Sequence, residues 1–525
     1  MTEQLNRRRV WLYPVLLLGG VATGWFILLL TLDTLWGGAG PGLASALTAR
    51  AGSHIQNALG NLPEVVVAVL GIAITVVSII LQLSATRYTP RVTEMFFRDR
   101  TNLLVLGFFV VTSIHCIWAT FTVHDHFFPH ILVVSTIVMM TGAILVLIPY
   151  FIYVFAFLEP ERVVARLQKQ SLAEALGSRS SIPLRQAHVL QSIEQLADVA
   201  VNAIAQKDRI IASRSVDALR DLANSYITAK GGLDARFFAL SEGLRKNPDF
   251  VVMASDRLTE IESSRTWLEW KVLRQFQTIF NESINRMRDI GQLVAINGRY
   301  IGEQALAHDD RAVLQLTIKF FNTFMRTTLN SRDVRTAYNV LHQYRQLAEA
   351  TLKAGWNVEV LNLAKHFKYY GQTANQMGLP FVTETAANDL CQLCEVAHDE
   401  GFEDEAALLD TFLDVDKIPE TDEEDKALRG VRKAQVKLAT YYLKQGSESL
   451  ARRIFEDMEH ERGERLLNIR DEMLEVKDRD FWEINDRGVN FDYLESSRRK
   501  ELERFYGWFG HRFTKRTEEK QTIKK

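Results

Sequence analysis

The chain has 525 residues, of which 47% are hydrophobic and 24% charged, and its formal net charge is −2. A nearly balanced charge gives no reason to expect a nucleic acid as a partner, and three cysteines in so long a chain argue against a disulfide framework. The length predicts more than one domain. Long apolar runs fill the first 160 residues, and a charge-rich helical pattern follows them.

Four apolar runs are long enough to cross the hydrocarbon core of a bilayer, which takes about 20 residues in a helix. They are Val10–Leu32, Leu62–Leu83, Leu103–Phe121 and Ile131–Leu158. The first run exceeds the roughly 7–15 apolar residues of a signal peptide, and no convincing small-residue cleavage site follows it, so we expect it to remain uncleaved. The sequence therefore predicts a transmembrane domain of four helices over residues 1–160.

Positive charge lies on one side of these four runs. The loop between the second and third runs carries Arg87, Arg91, Arg98 and Arg100, and further basic residues precede the first run and follow the fourth. The other two loops carry a single arginine between them, Arg50. Cytoplasmic flanks of membrane helices are enriched in Lys and Arg. We therefore expect both termini in the cytoplasm, with the four arginines setting the orientation and contacting lipid headgroups.

Polar residues recur at helical spacing within two of the spans. The second span carries Glu64, Gly71, Thr75, Ser78 and Gln82 on one face, and the third carries Thr112 and His115 on a weaker stripe. Lipid tails cannot form hydrogen bonds, so these faces should point at protein or at water. Two interpretations remain open, which are helix–helix packing and the lining of a pathway through the membrane.

Two groups of residues carry the chemistry of metal ligands. His124, Asp125, His126 and His130 lie between the third and fourth spans, and Cys391, Cys394 and His398 share one helix face further along. The first group could bind Zn²⁺ or Cu²⁺ or sense pH, but its spacing matches no closed motif and a solvated loop is expected. The second group is flanked by apolar residues, which favours buried core cysteines. We expect neither a metal nor a cofactor.

The segment Val76–Phe109 resembles a family of predicted bacterial inner-membrane proteins of unknown function. The resemblance lies in an apolar helix with Ser78, a turn leading to Tyr88-Thr89-Pro90-Arg91, the sequence Arg98-Asp99-Arg100, and a span that begins with Leu106-Gly107-Phe108. Arg87 departs from the Gln or Ser expected before the tyrosine. The resemblance implies the topology above and a bacterial plasma membrane, and it implies no reaction.

The residues after the fourth span predict a large cytoplasmic α-helical domain. Over residues 161–307 we expect helices at Glu161–Leu176, Leu184–Lys207, Ile210–Ala229, Leu233–Lys246 and Asp256–Ala305, the last of them broken near Gly291 and Gly298. Over residues 308–465, polar or glycine-containing breaks recur at His308–Asp310, Asn330–Asp333, Ala354–Asn357, Met377–Pro380 and Asp399–Gly401. Such spacing is typical of stacked helical hairpins, with a generic helical bundle as the alternative.

One segment of this region resembles a tetratricopeptide repeat. Ala439, Tyr442, Gly446, Ala451 and Phe455 fall at the spacing of that repeat, where small residues let two helices approach and a glycine ends the first helix. The last part of the chain, residues 466–525, contains the aromatic-rich stretch Phe481–Phe509 and a basic tail. We expect the aromatic stretch to dock onto the preceding helices or onto another subunit.

The sequence carries no Ser-His-Asp order, phosphate-binding loop, dinucleotide fingerprint or zinc-protease motif, so we expect no enzymatic activity. Two functions remain. The first is a membrane-anchored helical interaction and assembly protein, homo-oligomeric and able to bind a cytoplasmic protein partner. The second is an oligomeric ion channel or transporter, with the second span lining the pathway and the cytoplasmic helices as its gate.

Overall fold

The computed structural model describes residues 20–21, 23–29, 31–32, 35, 52–87, 96–97, 99–122, 129–157, 159–177, 181–416, 428–481 and 486–510. The regular elements in these ranges are all helices, which confirms the all-α prediction. The chain divides into two compact units, Met1–Arg166 and Leu167–Lys525. The finer boundaries after residues 307 and 465 remain predictions.

Three long helices form the described part of the first unit. They are α1 (Gly52–Arg87), α2 (Arg100–Thr122) and α3 (His130–Phe157). Each contains a stretch long and apolar enough to cross a membrane, at Glu64–Gln82, Arg100–Thr122 and Ile131–Phe157. Three of the four predicted spans are thus present as apolar helices. About half of the first predicted span, Val10–Leu32, lies outside the described residues, and the described residues 20–21, 23–29 and 31–32 are helical.

The three helices pack against one another around small clusters of apolar side chains. One cluster contains Val66 of α1, Phe109 and Cys116 of α2, and Ala143 of α3. A second joins Leu29 to the region where α2 and α3 approach. α3 continues as a helix through Pro149. The unit therefore has its own buried core, although most of its outward surface is apolar, as expected for helices that face lipid.

After α3 the chain continues as predicted, with α4 (Pro160–Leu176), α5 (Ile182–Ala205) and α6 (Arg209–Ala229). The helix expected at Leu233–Lys246 is wrong. A 3₁₀ turn at Ala235–Phe238 and the one-turn helices α7 (Glu242–Arg245) and α8 (Pro248–Val251) occupy this region instead. Local caps begin new turns here, because the side chains of Asp234 and Asn247 accept hydrogen bonds from backbone N–H groups two residues further on.

The predicted long helix over Asp256–Ala305 is three helices, α9 (Ser255–Ser263), α10 (Trp267–Ser283) and α11 (Arg288–Ala307). The breaks predicted at Gly291 and Gly298 are wrong, because both glycines lie inside α11. A Cβ atom at Gly291 would lie 2.8 Å from the Oγ atom of Ser283. Gly291 therefore allows α10 and α11 to approach closely, and it does not end a helix.

The five breaks predicted between residues 308 and 401 are all present. They separate α11, α12 (Arg311–Asn330), α13 (Val334–Lys353), α14 (Asn357–Gln376) and α15 (Pro380–Asp399), and the last of them follows α15; each of the five helices has 20 residues. Every break contains a residue with positive φ, and these residues are Asp309, Arg332, Gly355, Gly378 and Gly401. In this run each helix packs against the next helix and the next but one. That is the contact pattern of stacked helical hairpins.

The unit ends with α16 (Glu405–Leu413), α17 (Arg429–Lys444), α18 (Glu448–Met458), α19 (Gly463–Glu475) and α20 (Ser496–Gly507). α17 and α18 form the predicted hairpin, with Gly446 at φ 80° in the turn and Ala439, Tyr442 and Ala451 buried. The ring centroid of Phe455 lies 4.5 Å from that of Phe509. The aromatic stretch thus docks onto helices of its own chain.

Candidate functional site

The polar stripe of the second predicted span faces away from the other described helices. Its five residues, Glu64, Gly71, Thr75, Ser78 and Gln82, are all exposed on α1. The buried side chains of the same helix are apolar and include Val66, Ala73, Val77 and Leu81. α1 therefore presents its apolar face to α2 and α3 and leaves its polar stripe outward.

The middle of this stripe is flat and only weakly polar. The Thr75 hydroxyl donates a hydrogen bond of 2.8 Å to the carbonyl oxygen of Gly71, so its proton is satisfied within its own helix. A Cβ atom at Gly71 would find no heavy atom within 4 Å. Small residues that leave such open space let a second helix approach closely in a membrane. The stripe can thus receive another helix or line water without any rearrangement of the three described helices.

The polar residues of α2 point the opposite way. Thr112 and His115 are completely buried between the helices. The Nε2 atom of His115 lies 2.9 Å from the Oγ atom of Ser135 on α3. The Nδ1 atom of His115 and the Oγ1 atom of Thr112 are buried and have no hydrogen-bond partner among the described residues. The two predicted stripes therefore do not form one surface, since one lies outward on α1 and the other lies in the bundle core.

A hydrogen-bond network lies where the arginine-rich loop enters α2. The Asp99 carboxylate accepts from the backbone N–H of Thr101 at 2.9 Å and from the Tyr153 hydroxyl of α3. One turn away, the Tyr150 hydroxyl donates to the Oδ1 atom of Asn102 at 2.6 Å. These bonds tie the end of the loop to α3.

The sequence predictions missed this network, because they considered Asp99 only as part of the sequence Arg98-Asp99-Arg100. An Asp two residues before the backbone N–H that it caps is nevertheless a recognisable helix-start signal. Arg100 is exposed at the start of α2. The side chain of Arg87, and Arg91 and Arg98, lie outside the described residues.

The two groups of possible metal ligands differ in what can be described. His124, Asp125, His126 and the side chain of His130 lie outside the described residues. Cys391 and Cys394 are buried free thiols, and burial raises the pKa of both. His398 lies 2.8 Å from a Glu405 carboxylate oxygen through Nδ1 and 3.2 Å from the Ser447 hydroxyl through Nε2. In the described ranges, no group of three or more His, Cys, Asp or Glu side chains is arranged to hold a metal ion.

Comparison with known proteins supports the resemblance seen in the arginine-rich segment. Residues 7–228 match a family described as "Predicted membrane protein (DUF2254)". No curated protein matches the chain. One solved structure, "Circular tandem repeat protein with novel repeat topology and enhanced subunit contact surfaces", shares 15% sequence identity over 80% of this chain and 97% of that chain, with a TM-score of 0.30. A TM-score this low does not establish a shared fold.

Proposed function

Since residues 7–228 match a family of predicted membrane proteins, we propose that this chain is a multi-pass protein of the bacterial inner membrane that assembles into a homo-oligomer. The three apolar helices support membrane insertion. The proposed topology has four spans, with Val10–Leu32 as the first, and both termini in the cytoplasm. No enzymatic activity is part of this proposal.

The distribution of arginine supports the cytoplasmic location of the helical unit. Arg162 and Arg166 follow α3 directly, and the Arg166 guanidinium lies 3.9 Å from the ring centroid of Phe157 at the end of that helix. A basic side chain that packs on an aromatic ring at the end of an apolar helix suits a membrane boundary. The same side of the membrane then holds Arg87, Arg91, Arg98 and Arg100.

This orientation predicts the outcome of a protease protection experiment. Protease added to intact spheroplasts should leave the fragment from Leu167 onward undigested, and the same protease should degrade that fragment in inverted membrane vesicles. Immunoblotting against the second unit measures both results, with a cytoplasmic protein as the control for spheroplast integrity and a protein with a periplasmic domain as the control for protease activity. Digestion in intact spheroplasts would place the helical unit outside the cell and overturn the topology.

The outward polar stripe of α1 is the observation that carries the assembly proposal. A single chain leaves Thr75, Ser78 and Gln82 exposed at membrane depth, where lipid offers no hydrogen-bond partner. A sister subunit would cover the stripe with protein, and small residues such as Gly71 suit a close helix–helix contact. The stacked hairpins of the helical unit would then lie in the cytoplasm, where they could bind neighbouring subunits or a protein partner.

The same stripe supports the alternative function of a channel or transporter. In a ring of subunits, α1 would line a central axis and the stripe would face water instead of a neighbouring helix. The cytoplasmic helices would then act as the gate. The two functions differ in whether Thr75, Ser78 and Gln82 meet protein or water in the assembled state.

Single cysteines on α1 separate these functions. Ser78→Cys should form a disulfide-linked dimer on mild oxidation in membranes, because the stripe lies at the subunit contact. Ile79→Cys is the matched control, since Ile79 is the next residue and is 53% exposed on a different face. The three native cysteines are buried and should remain unreactive. Gel electrophoresis without reductant measures disulfide formation in both variants.

A water-soluble thiol reagent gives the second half of this test. Labelling of Ser78→Cys in membranes would favour the channel, whereas disulfide formation with protection from the reagent would favour packed assembly. If Ser78→Cys neither cross-links nor becomes labelled and behaves like Ile79→Cys, then the stripe faces lipid and both proposals fail.

A further inference from the structure

The second unit contains a cleft that the proposed assembly does not use. The cleft has a volume of about 640 Å³ and lies between α13, α15 and the segment that leads to α20. Four aromatic rings line it, those of Tyr338, Phe381, Phe481 and Phe491. Three carboxylates line it as well, those of Glu384, Asp486 and Asp492. We call this set of residues the aromatic cleft. Its volume is in the range of small-molecule sites.

Two of the three carboxylates already have partners. Asp486 accepts a hydrogen bond from Asn339 at 2.9 Å and lies 3.6 Å from Arg335. The Oδ2 atom of Asp492 lies 2.6 Å from the Lys433 ammonium group. The Oδ1 atom of Asp492 is buried and has no hydrogen-bond partner among the described residues. One acceptor oxygen of a carboxylate that lines the cleft is thus unused.

Glu384 differs from the other two carboxylates. Its side chain has no hydrogen bond or ion pair to any residue in the described ranges, although it lies near Asp492 and Lys433. On its other side it packs closely against α17, where a Cβ atom at Gly430 would lie 2.8 Å from the carboxyl carbon of Glu384. This contact restricts the side chain. An unpaired, largely buried carboxylate is costly and calls for a cationic partner.

The aromatic rings of the cleft suit the apolar part of such a partner. The rings of Tyr338, Phe381 and Phe491 lie with centroids 5.6 to 6.3 Å apart. The Arg487 guanidinium already sits 4.1 Å from the Tyr338 centroid, so one face of this ring group binds a cation within the chain. Phe381 is 45% exposed, so part of its ring faces solvent at the cleft.

We propose that the aromatic cleft binds an organic cation, a primary ammonium group on an alkyl chain. The ammonium group would donate hydrogen bonds to Glu384 and to the Oδ1 atom of Asp492, and the alkyl chain would lie along Phe381 and Phe491. Carboxylates next to aromatic faces suit an alkylammonium ion better than they suit a bare metal ion, because a metal ion needs several oxygen ligands. A free diamine and a lysine side chain of another protein share this chemistry.

Charge in the cleft makes the binding depend on pH. Burial and the nearby Asp492 raise the pKa of Glu384 to about 7. The other charged groups around the cleft are Asp486, Arg487 and Asp492 in the C-terminal segment, Arg335 of α13 and Lys433 of α17. An alkylammonium ion binds the ionised carboxylate and stays charged up to about pH 10. Between pH 6 and pH 8 the ionised fraction of Glu384 rises from about one tenth to about nine tenths, so the affinity should rise about tenfold.

Calorimetric titration of the full-length protein in nanodiscs of phosphatidylcholine tests this site, with cadaverine as the probe. The expected result is binding that strengthens about tenfold from pH 6 to pH 8. Glu384→Gln keeps the shape of the side chain, and it should weaken binding at pH 8 at least about tenfold and remove the pH dependence. Phe381→Ala should also weaken binding, because it removes an exposed ring of the cleft.

The control variant is Glu400→Gln, which changes an exposed carboxylate at the end of the same helix and should bind cadaverine like the wild type. Circular dichroism verifies that each variant is folded. A short lysine-containing peptide in parallel distinguishes the sources, since tighter binding of the peptide indicates a protein partner and tighter binding of cadaverine indicates a free amine. The site is overturned if neither probe binds, or if Glu384→Gln binds as well as the wild type with the same pH dependence.

Discussion

Replacing Asp389 with alanine should lower the free energy of unfolding of the helical unit by about 3–5 kcal/mol, because it leaves two buried guanidinium groups without their shared counterion. Asp389 is completely buried in α15. Its Oδ1 atom lies 3.1 Å from the Nε atom of Arg345 and 2.6 Å from the Nη1 atom of Arg487. Arg487 also donates a hydrogen bond of 2.5 Å to the carbonyl oxygen of Tyr338. The carboxylate thus joins α13, α15 and the C-terminal segment.

Hydrogen exchange of the full-length protein in detergent measures this effect. The most protected amides of α13 and α15 should exchange faster, and those around Arg487 should lose protection, because the segment loses its main anchor. Glu400→Ala is the matched control on the same helix, with an expected change within about 0.5 kcal/mol. Exchange rates in Asp389→Ala equal to those of the wild type would mean that the two arginines find other partners and that the carboxylate contributes little.

A triple replacement tests whether the loss of stability in Asp389→Ala comes from the unpaired arginines. Changing Asp389 to leucine together with Arg345 and Arg487 to methionine removes the buried carboxylate and both of its arginines, and leaves Glu349, the second partner of Arg345, at a partly exposed position. Replacing a complete buried ion group with apolar side chains of similar size is often close to neutral. The triple variant should therefore be more stable than Asp389→Ala alone. That result would mean that the unpaired buried arginines destabilise Asp389→Ala, and that the ion pairs themselves contribute little to the stability of the fold.

The sequence predicted where the helices of the second unit end better than it predicted which helices pack against each other. The breaks at Asp309, Arg332, Gly355, Gly378 and Gly401 depend on local backbone geometry, which a few neighbouring residues determine. Gly291 misled the prediction, because a glycine inside a helix that serves close packing has the same letter as a glycine that ends a helix. Which helix would pack against Gly291 depends on residues far away in the chain.

The sequence predictions missed the buried ion pairs of Asp389 for a similar reason. Asp389 lies two residues before Cys391, in a segment whose cysteines attracted the metal interpretation. Its helical register places it with the buried Ala386 and Leu390, and an acidic residue on a buried face is itself a signal. Its partner Arg487 is 98 positions further along the chain. Periodicity could therefore have indicated that Asp389 needed a cation, but could not have identified which one.

The candidate site in the membrane unit shows the same limit. Helical spacing correctly placed Gly71, Thr75 and Ser78 on one face of α1. Spacing alone does not tell whether a face points at the same chain or away from it. The structure supplies that direction, since α1 buries Ala73 and Val77 and leaves the polar face outward. If this face packs against a helix, as the proposed assembly requires, that helix therefore lies outside the three described helices α1, α2 and α3.

Tyr344 lies at the centre of the hairpin region, and its replacement is the second change with a large expected effect. Its ring stacks on Phe321 of α12 with centroids 5.0 Å apart and on Phe367 of α14 with centroids 5.1 Å apart. The row continues through Phe324 to Phe280 of α10, with that last pair of centroids 4.7 Å apart. A continuous row of rings thus runs through four helices. Tyr344 is the member that connects α12 to α14 across α13.

Tyr344→Ala should lower the free energy of unfolding of the helical unit by about 3–5 kcal/mol, the usual cost of truncating a large buried aromatic residue. Tyr344→Phe keeps the stacking but loses the hydrogen bond of 2.9 Å from the hydroxyl to Asn322, so its cost should be about 1–3 kcal/mol. Tyr369→Ala changes a 45% exposed ring on α14 and should cost no more than about 1 kcal/mol. Hydrogen exchange of the protected amides in α12 to α14 measures all three variants. If Tyr344→Ala costs no more than Tyr369→Ala, then the row of rings does not stabilise the hairpin stack, and the α13 backbone contacts must hold α12 and α14 in place.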